Sequence, residues 1–270
     1  MDDLDAYAAC PYDGSPYDGS PYAECPEGFS TEEWRARVDL AACYRLAAAR
    51  GWSDLIYTHI SLRLPGRGDV FLINAFGQTF DEITASSLLT IDLEGRVTDG
   101  SGRSANPSGF AIHGAVHRAR ADAHCVIHLH TDAGIAVSAL RDGLLPLSQH
   151  AMRFWGDIGY HDYQGLTFGA EEQAQFIAEL GTHRAMMLRN HGTLTCGRTV
   201  AEAFVLMDTL DKACRIQLAA MAAGAVAMPP DEVLARTHAQ LTAADPEPEG
   251  ELEWPALLRG LMRADPGFAR

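Results

Sequence analysis

The fold is decided most clearly by residues 126–134, which read VIHLHTDAG. The apolar run Cys125–Leu129 predicts a buried strand, and the residues from Asp132 onward are typical of a helix. Side chains two positions apart in a strand point to the same side, so the imidazoles of His128 and His130 should converge on one point. Neutral imidazole is the commonest metal ligand in proteins. The pair therefore predicts a metal site at the end of a buried strand.

A second histidine-bearing segment lies at residues 189–192, which read RNHG. Residues 185–188 predict another buried strand, and His191 leaves that strand at a glycine turn. Three histidines on one face of a metal leave other positions open to water or substrate, as catalytic sites need. Each signal alone is also compatible with an ordinary strand face or a turn cap. Together, His128, His130 and His191 predict one divalent metal ion per subunit.

Helices and strands are predicted in mixed order through the middle of the chain. Ser30 and Glu33 have the spacing of a capping box, so the first helix should begin there. This mixture favours a single α/β domain with one central sheet, over residues 30–225. Further strands are predicted at residues 59–64 and 69–74, and further helices at residues 83–89, 108–119, 170–180 and 200–223.

The two ends of the chain have a different character. Residues 11–20 repeat the pentapeptide PYDGS, which has turn chemistry and little to bury. Residues 1–29 are therefore predicted to be a disordered arm, although tyrosines lying over a neighbouring subunit's active site are an alternative. Residues 226–270 form a C-terminal tail, with Pro246 and Pro248 among acidic residues, and are expected to pack loosely.

The bulk composition excludes several classes of function. The 270 residues carry a net charge of −15, so the surface repels nucleic acid and anionic membranes, and neither is expected as a partner. No run approaches the roughly 20 apolar residues that a membrane-spanning helix needs. The N-terminus is acidic where a secretory signal would be basic, and the six cysteines form no CxxC pair. These features predict a cytoplasmic protein with reduced thiols.

Several short motifs occur together in the central region. They are PSG at residues 107–109, His113, RADA at residues 120–123, HLH at residues 128–130 and NHG at residues 190–192. As a set they resemble the class II aldolase/adducin family, and the interval from His130 to His191 fits the family's spacing of metal ligands. The chain is similar to this family over roughly residues 40–224, and closer to its adducin-like branch than to its sugar-phosphate aldolases.

The resemblance implies a three-layer α/β/α fold with a mainly antiparallel central sheet. It also implies a metal held by the three histidines, and a cyclic homotetramer whose active sites lie between subunits. Adducin itself uses this fold as an interaction domain without catalysis, which is a further hypothesis for this chain. Because all three histidines are present at the family's spacing, an enzyme is favoured.

Two departures from the family argue against a phosphorylated substrate. Sugar-phosphate aldolases carry an acid/base glutamate early in the helix that follows the PSG motif, and the corresponding residue here is Gly109. Thr58 and His59 stand where the family's first phosphate-binding segment lies, and Phe76 stands in the second. An aromatic ring gives a phosphate oxygen no hydrogen bond. Sugar-phosphate cleavage is therefore disfavoured.

The missing glutamate leaves two interpretations of the chemistry. Retro-aldol cleavage on Zn²⁺ would need another base, with His113, His150 and Tyr160 as candidates. Fe²⁺ with three protein ligands has room for a 2-oxo acid and dioxygen, and then no protein base is essential. Some members of the family, in aminocoumarin antibiotic pathways, are iron-dependent oxygenases that decarboxylate a prenylated 4-hydroxyphenylpyruvate. The favoured expectation is such oxidative decarboxylation of an unphosphorylated 2-oxo acid, with zinc-dependent aldol cleavage as the alternative.

Candidate substrate-binding residues complete the set of predictions. Arg189 could hold a substrate carboxylate or form a salt bridge across a subunit boundary. His117 is expected on the surface, with His113 facing the site. The aromatic residues available for an apolar substrate are Phe76, Phe110, Phe154 and Trp155. The predicted substrate-binding residues are Phe76, Ser108, Gly109, Gln149 and Arg189.

Overall fold

The computed structural model describes residues 20–22, 25–166, 169–243 and 249–270, and only the backbone of Pro107 and Ser108. Most of the predicted N-terminal arm therefore lies outside the described residues. Within the part that is described, the Tyr22 hydroxyl donates a hydrogen bond to Asp39 Oδ1 at 2.5 Å. The ring of Phe29 packs against Trp34, with ring centroids 5.4 Å apart. These residues lie against the first helix of the domain.

One seven-stranded sheet forms the centre of the structure, with strand order β3-β2-β1-β4-β7-β6-β5. Every neighbouring pair is antiparallel except β5 and β6, which are parallel at one edge. The strands are β1 His59–Arg63, β2 Val70–Ile73, β3 Leu89–Asp92, β4 Cys125–Leu129, β5 Gly159–His161, β6 Ala185–Leu188 and β7 Gly192–Gly197. The α/β fold class with a mainly antiparallel sheet is confirmed.

Helices cover both faces of this sheet. The helices are α1 Thr31–Ala49, α2 Pro107–Ala119, α3 Asp132–Ser138, α4 Gln149–Met152, α5 Ala170–Leu180, α6 Val200–Ala223, α7 Asp231–Thr242 and α8 Glu253–Ala264. Short 3₁₀ turns replace the helix expected at residues 83–89, because Leu89 already begins β3. Among the described residues, no helix is long and apolar enough to cross a membrane.

The side chains of β4 alternate between two apolar layers, as the pleat of a strand requires. Cys125, Ile127 and Leu129 pack with α1, α6 and α8 on one face. Val126 packs with α2 and α5 on the other face, which is also the face of His128. The strand is buried along its whole length, so its histidine sits in the interior.

The C-terminal segment differs from the loosely packed tail that was expected. Helix α8 inserts Trp254 and Leu258 into the same core as α1, and Phe268 follows them. The Trp254 indole donates to Asp39 Oδ1 at 2.9 Å. The apolar residues of α8 recur at helical spacing and form one buried face. Burial of this face stabilises the helix and outweighs the unfavourable effect of the nearby prolines and acidic residues. The segment is therefore part of the folded domain.

Candidate metal centre

Two turns in the sheet deliver the three histidines to one place. His130 follows directly after β4, and His191 lies in the three-residue turn between β6 and β7. Asn190 adopts a left-handed backbone conformation with φ of 59° in this turn. Asparagine tolerates that conformation better than most residues do. The turn closes with a hydrogen bond from the His191 amide to the Leu188 carbonyl at 3.0 Å.

Gly192 allows the end of β4 and the start of β7 to meet. A Cβ atom at this position would lie 2.4 Å from the carbonyl oxygen of Leu129 and 3.2 Å from His130 Cδ2. A backbone oxygen cannot move aside as a flexible side chain can, so a larger residue would force the strands apart. The glycine therefore brings His191 close to His128 and His130.

The three imidazoles converge as the sequence predicts. One ring nitrogen from each of His128, His130 and His191 lies within 4.8 Å of the others. The ring centroids are 4.8–4.9 Å apart in all three pairs. The Nε2 atoms of His128 and His130 are only 3.1 Å apart. Two nitrogens at about 2.0–2.1 Å from one metal would then subtend roughly 100°, which suits a tetrahedral or octahedral ion.

Hydrogen bonds on the far side of the His128 and His130 rings determine which nitrogen faces the centre. His128 Nδ1 lies 3.0 Å from the Thr193 carbonyl oxygen, and His130 Nδ1 lies 2.8 Å from Asp54 Oδ2. Both partners can only accept, so each Nδ1 carries a proton, and Nε2 is the nitrogen that each ring directs at the other. When both Nε2 atoms are unprotonated, their facing lone pairs repel unless a cation lies between them. The donor set therefore fits a divalent metal.

Burial keeps two of these rings unprotonated. Loss of solvent, followed by the neighbouring histidines His191 and His130, holds the pKa of His128 well below its usual range. Burial first, and then His130 and His161, lower the pKa of His191 to about 4. A neutral ring offers the lone pair that a metal needs.

A cavity of about 410 Å³ opens in front of the three histidines. Its walls are largely apolar and aromatic, with Tyr57, Tyr163 and Phe176 among the lining residues. Among the described residues that line it, Arg189 is the only lysine or arginine. The Arg189 guanidinium donates to the Leu140 carbonyl at 2.6 Å and lies 4.6 Å from the centroid of the Tyr160 ring. The positive charge of Arg189 therefore already interacts with other groups of the chain.

Residues 38–218 match the family described as "Class II Aldolase and Adducin N-terminal domain". The chain belongs to the class II aldolase and adducin family. This confirms the resemblance drawn from the motifs.

Three members of the family are similar to the chain over different shares of their length. An aldolase II superfamily protein from Pseudomonas syringae has 46% identity and a TM-score of 0.87, covering 90% of this chain and 98% of its own. An L-fuculose 1-phosphate aldolase from Glaciozyma antarctica has 28% identity and a TM-score of 0.79, covering 93% and 100%. Alpha-adducin from Mus musculus is 40% identical over 240 residues, which is 83% of this chain but 32% of alpha-adducin.

The structure brings only some of the predicted site residues to the candidate metal centre. Gly109 and Arg189 line the cavity together with the three predicted ligands. Phe76 is 44% exposed and lies outside the cavity lining, as do the exposed Gln149 and His150. The side chain of Ser108 lies outside the described residues. Phe110 and Phe154 are buried in separate apolar clusters, and Trp155 and Tyr160 line a different cavity.

Sequence reasoning missed two residues that act around the centre. Asp54 Oδ2 accepts a hydrogen bond from His130 Nδ1. His59 lines the cavity, and its position in β1 pairs with His128 across the sheet. A loop contact brings Asp54 to His130 and strand pairing brings His59 to His128, so no local pattern could reveal either contact.

His59 also changes the interpretation of Gly109. A Cβ atom at Gly109 would lie 2.0 Å from both Nε2 and Cδ2 of the His59 ring. Gly109 therefore accommodates the imidazole of His59, and the space beside Gly109 is not free for a bulky substrate. Burial lowers the pKa of His59 to about 4.

A hydrogen-bonded chain of buried side chains lies behind His59. Ser61 Oγ lies 2.7 Å from both His113 Nδ1 and His117 Nε2. His117 Nδ1 lies 2.9 Å from the Ala123 carbonyl, so Nδ1 is the donor, and Ser61 donates to Nε2. The expectation that His117 lies on the surface is wrong, because α2 packs both of its histidines against β1. His113 does not line the cavity in the described structure.

Removing the carboxylate behind His130 should weaken metal binding. We expect Asp54→Ala to lower metal affinity by about 10–100-fold, because the ring loses the partner that fixes its tautomer and orientation. Competition with a chromophoric chelator would measure the change. Asp54→Asn is the matched control, since its amide oxygen still accepts the Nδ1 proton, and it should lose less affinity than Asp54→Ala. Equal losses would contradict the orienting role.

The buried histidines should make the protein sensitive to acid. Burial lowers the pKa of His59 to about 4 and that of His117 to about 3. Below about pH 6.5 these histidines bind protons in the unfolded chain but stay unprotonated in the folded chain. The free energy of unfolding therefore falls as the pH drops from about 6.5 to 4, by about 1.4 kcal/mol per pH unit for each such histidine. Urea unfolding across this range would measure the slope. His117→Gln should flatten it, and an unchanged slope would contradict the assignment.

Proposed function

We propose that the protein is a metal-dependent lyase that cleaves a C–C bond next to the carbonyl group of an unphosphorylated small molecule. One observation carries the proposal: ring nitrogens of His128, His130 and His191 converge in the wall of an open cavity. A divalent ion such as Zn²⁺ or Fe²⁺, held by His128, His130 and His191, would polarise the carbonyl oxygen and stabilise the negative charge that cleavage leaves on it.

The charges around the cavity support an unphosphorylated substrate. Phosphate sites in proteins use arginine, lysine or a series of free backbone amides. Arg189 is the only such side chain among the described lining residues, and it bonds to Leu140 and stacks on Tyr160. Asp54 and Glu172 also line the cavity and would repel a dianion. A neutral hydroxy-carbonyl compound meets no such repulsion.

The aldol-type reaction is favoured over oxidative decarboxylation. A bulky oxo acid would need the space that the missing glutamate leaves beside Gly109, and the ring of His59 occupies that space. A non-catalytic interaction domain, as in adducin, would not require the tautomers of His128 and His130 to be fixed toward a common centre. The intact ligand set supports an enzyme.

We further propose that the active protein is a homotetramer in which a second subunit borders each cavity. Three large apolar or aromatic side chains of the cavity lining are exposed: Leu166 is 91% exposed, and Tyr57 and Tyr163 are also exposed. Exposed apolar surface is typical of a protein–protein interface. A tetramer would bury this surface. Light scattering on purified protein tests the assembly, and a fully active monomer would contradict it.

The proposed activity can be tested without knowing the natural substrate. Purified protein should retain about one divalent metal per chain. Reconstituted with Zn²⁺, it should release aldehydes from a panel of unphosphorylated β-hydroxy ketones and β-hydroxy-2-oxo acids, at the same rate with and without oxygen. Turnover of arylpyruvates that requires oxygen and Fe²⁺ would replace the lyase with the oxygenase. A protein that binds no metal would support an interaction domain.

A further inference from the structure

We propose that Glu172 is the proton-transfer residue of this site, accepting a proton from the substrate and later returning it, and that His161 holds its carboxylate in position. The inference rests on the proposed lyase activity and names the group that performs its acid–base step. The sequence indicates His113, His150 and Tyr160 as candidate bases. None of those three lines the cavity in the described structure.

Glu172 is one of two carboxylates among the described residues that line the cavity. The other, Asp54, already accepts a hydrogen bond from the metal-binding His130 at 2.8 Å. His59 also lines the cavity, but its Nε2 atom is buried and lies against α2 at Gly109. The side chain of Glu172 keeps 13% of its surface exposed. Glu172 is therefore the carboxylate that a substrate in the cavity can meet.

Helix α5 presents Glu172 to the cavity. Glu172, Phe176 and Glu179 follow one another at spacings of four and three residues, so they share one face of the helix. Phe176 also lines the cavity, and it packs against the face of the sheet that carries His128. The cavity is therefore bounded both by the metal-binding histidines and by the carboxylate on α5.

A buried histidine positions the Glu172 carboxylate. His161 is 5% exposed, and its Nδ1 atom lies 2.6 Å from Glu179 Oε2. A carboxylate can only accept, so Nδ1 is the donor, and Nε2 is the nitrogen that faces Glu172 Oε1 at 3.5 Å. The His161 ring also meets the Phe176 ring edge to face, with centroids 5.3 Å apart. Two side chains of α5 thus fix the ring that contacts Glu172.

The contact with His161 leaves Glu172 able to accept a proton from a substrate. At 3.5 Å it is longer than the usual N–H···O distance of about 2.7–3.2 Å, so it is a weak hydrogen bond. Among the described residues, His161 is the one side-chain hydrogen-bond partner of Glu172. An ionised carboxylate has about four lone-pair positions, so acceptor capacity remains on the side of the cavity.

Strand β5 places this pair beside the metal centre. His161 is in register with Leu188 of β6, and its carbonyl oxygen accepts a hydrogen bond from the Arg189 amide at 2.8 Å. His191 follows two residues later in the turn between β6 and β7. Neither His161 nor Glu172 belongs to the three-histidine cluster found among the described residues. A carbonyl compound in the cavity can therefore approach the metal-binding residues and the carboxylate together.

The proton path of a retro-aldol reaction then balances without an oxidant or a co-reactant. The Glu172 carboxylate removes the proton of the substrate's β-hydroxyl group, whose O–H electrons form the new C=O bond. The Cα–Cβ bond breaks, and its electrons form the enolate of the other fragment. The proton on Glu172 then moves to the α-carbon, which gives the second carbonyl product. Glu172 is again a carboxylate.

Proton exchange tests this role separately from bond cleavage. Zinc-loaded protein incubated with dihydroxyacetone in D₂O should exchange the carbon-bound protons, because exchange needs the base and a polarised carbonyl but no cleavage. We expect Glu172→Gln to slow exchange by at least about 100-fold, the lower end of what a general base contributes. Its zinc content should be unchanged. Glu171→Gln, at the exposed neighbouring glutamate of α5, is the matched control and should exchange normally.

Chemical rescue distinguishes proton transfer from a structural role. Glu172→Ala leaves room for a small carboxylate beside His161, so added formate should raise its exchange rate several-fold. Chloride at the same ionic strength should not, and formate should not speed exchange by the unmodified protein. The positioning role of His161 has its own test. His161→Gln keeps a donor for Glu172 and should retain more exchange than His161→Leu.

The outcomes separate this inference from the proposed function. Exchange by Glu172→Gln within a few-fold of the unmodified protein, loss of its zinc, no rescue by formate, or no exchange by the unmodified protein would each overturn the role of Glu172. Equal losses in the two His161 variants would overturn the positioning role. Exchange without cleavage of any compound in the panel would overturn the lyase and leave Glu172 as the base. Cleavage by Glu172→Gln at the unmodified rate would keep the lyase and remove Glu172 from it.

Discussion

His128→Ala, His130→Ala and His191→Ala should each remove the bound metal and reduce C–C cleavage to background. Two imidazoles hold a divalent ion far more weakly than three, because each ligand bond contributes to the same binding free energy. In this chain the loss is compounded, since His128 and His130 face one another at 3.1 Å and each depends on the shared ion. Metal analysis after dialysis, together with the aldehyde assay, measures both losses.

His238→Ala is the matched control for these variants. His238 is a partly buried histidine whose Nδ1 bonds to the Arg153 carbonyl, away from the cavity. It should retain full metal and full activity. Circular dichroism should show folded protein in all four variants, because none of the three ligands belongs to the apolar clusters of the core. Full metal occupancy in any one ligand variant would remove that residue from the ligand set.

Gly109→Glu should inactivate the protein by at least about 100-fold, although it supplies the carboxylate that sugar-phosphate aldolases use. The reason is steric. The new Cβ atom would lie 2.0 Å from the His59 ring, so the imidazole must leave its position at the cavity wall. Removing that ring makes room for the carboxylate, so His59→Ala combined with Gly109→Glu should recover part of the lost cleavage.

Gly260→Glu is the control for placing a glutamate at a helical glycine. No atom lies within 4 Å of the Cβ position at Gly260, which belongs to α8. Its activity should equal that of the unmodified protein. The rate of aldehyde release should therefore rank the unmodified protein and the control first, the double variant next, and Gly109→Glu last. A double variant no better than Gly109→Glu would show that the clash with His59 is not the cause of the loss.

The features of the centre that the sequence predicts are local. Alternation along β4 predicts the shared face of His128 and His130, because the pleat has a fixed period. The glycine after His191 predicts a turn. Asp54 and His59 could not be found in this way, since their roles depend on a loop contact and on the pairing of β1 with β4. These are contacts between segments about 70 residues apart, and a single sequence carries no local signal for them.

Other differences have the same physical origin. Helical spacing places His113 and His117 on one side of α2, but it does not indicate whether that side meets water or the sheet. In the structure that side meets Ser61 on β1, so both rings are buried. The C-terminal segment depends on packing in the same way. Prolines near residue 246 favour a loose tail, whereas Trp254 and Phe268 are fixed by contact with a helix more than 200 residues earlier.

Two segments distant in sequence meet at Gly192, and their contact links the stability of the protein to metal binding. An ion bound by His130 and His191 acts as a reversible cross-link between residues 61 positions apart. A covalent bridge that closes a loop of this length lowers the entropy of the unfolded chain and stabilises the folded state by about 4 kcal/mol. Binding to the folded form alone would also raise the thermal midpoint with the concentration of free ion. We expect a chelator to lower that midpoint. The amount of folded protein in a cell would then follow the supply of the metal.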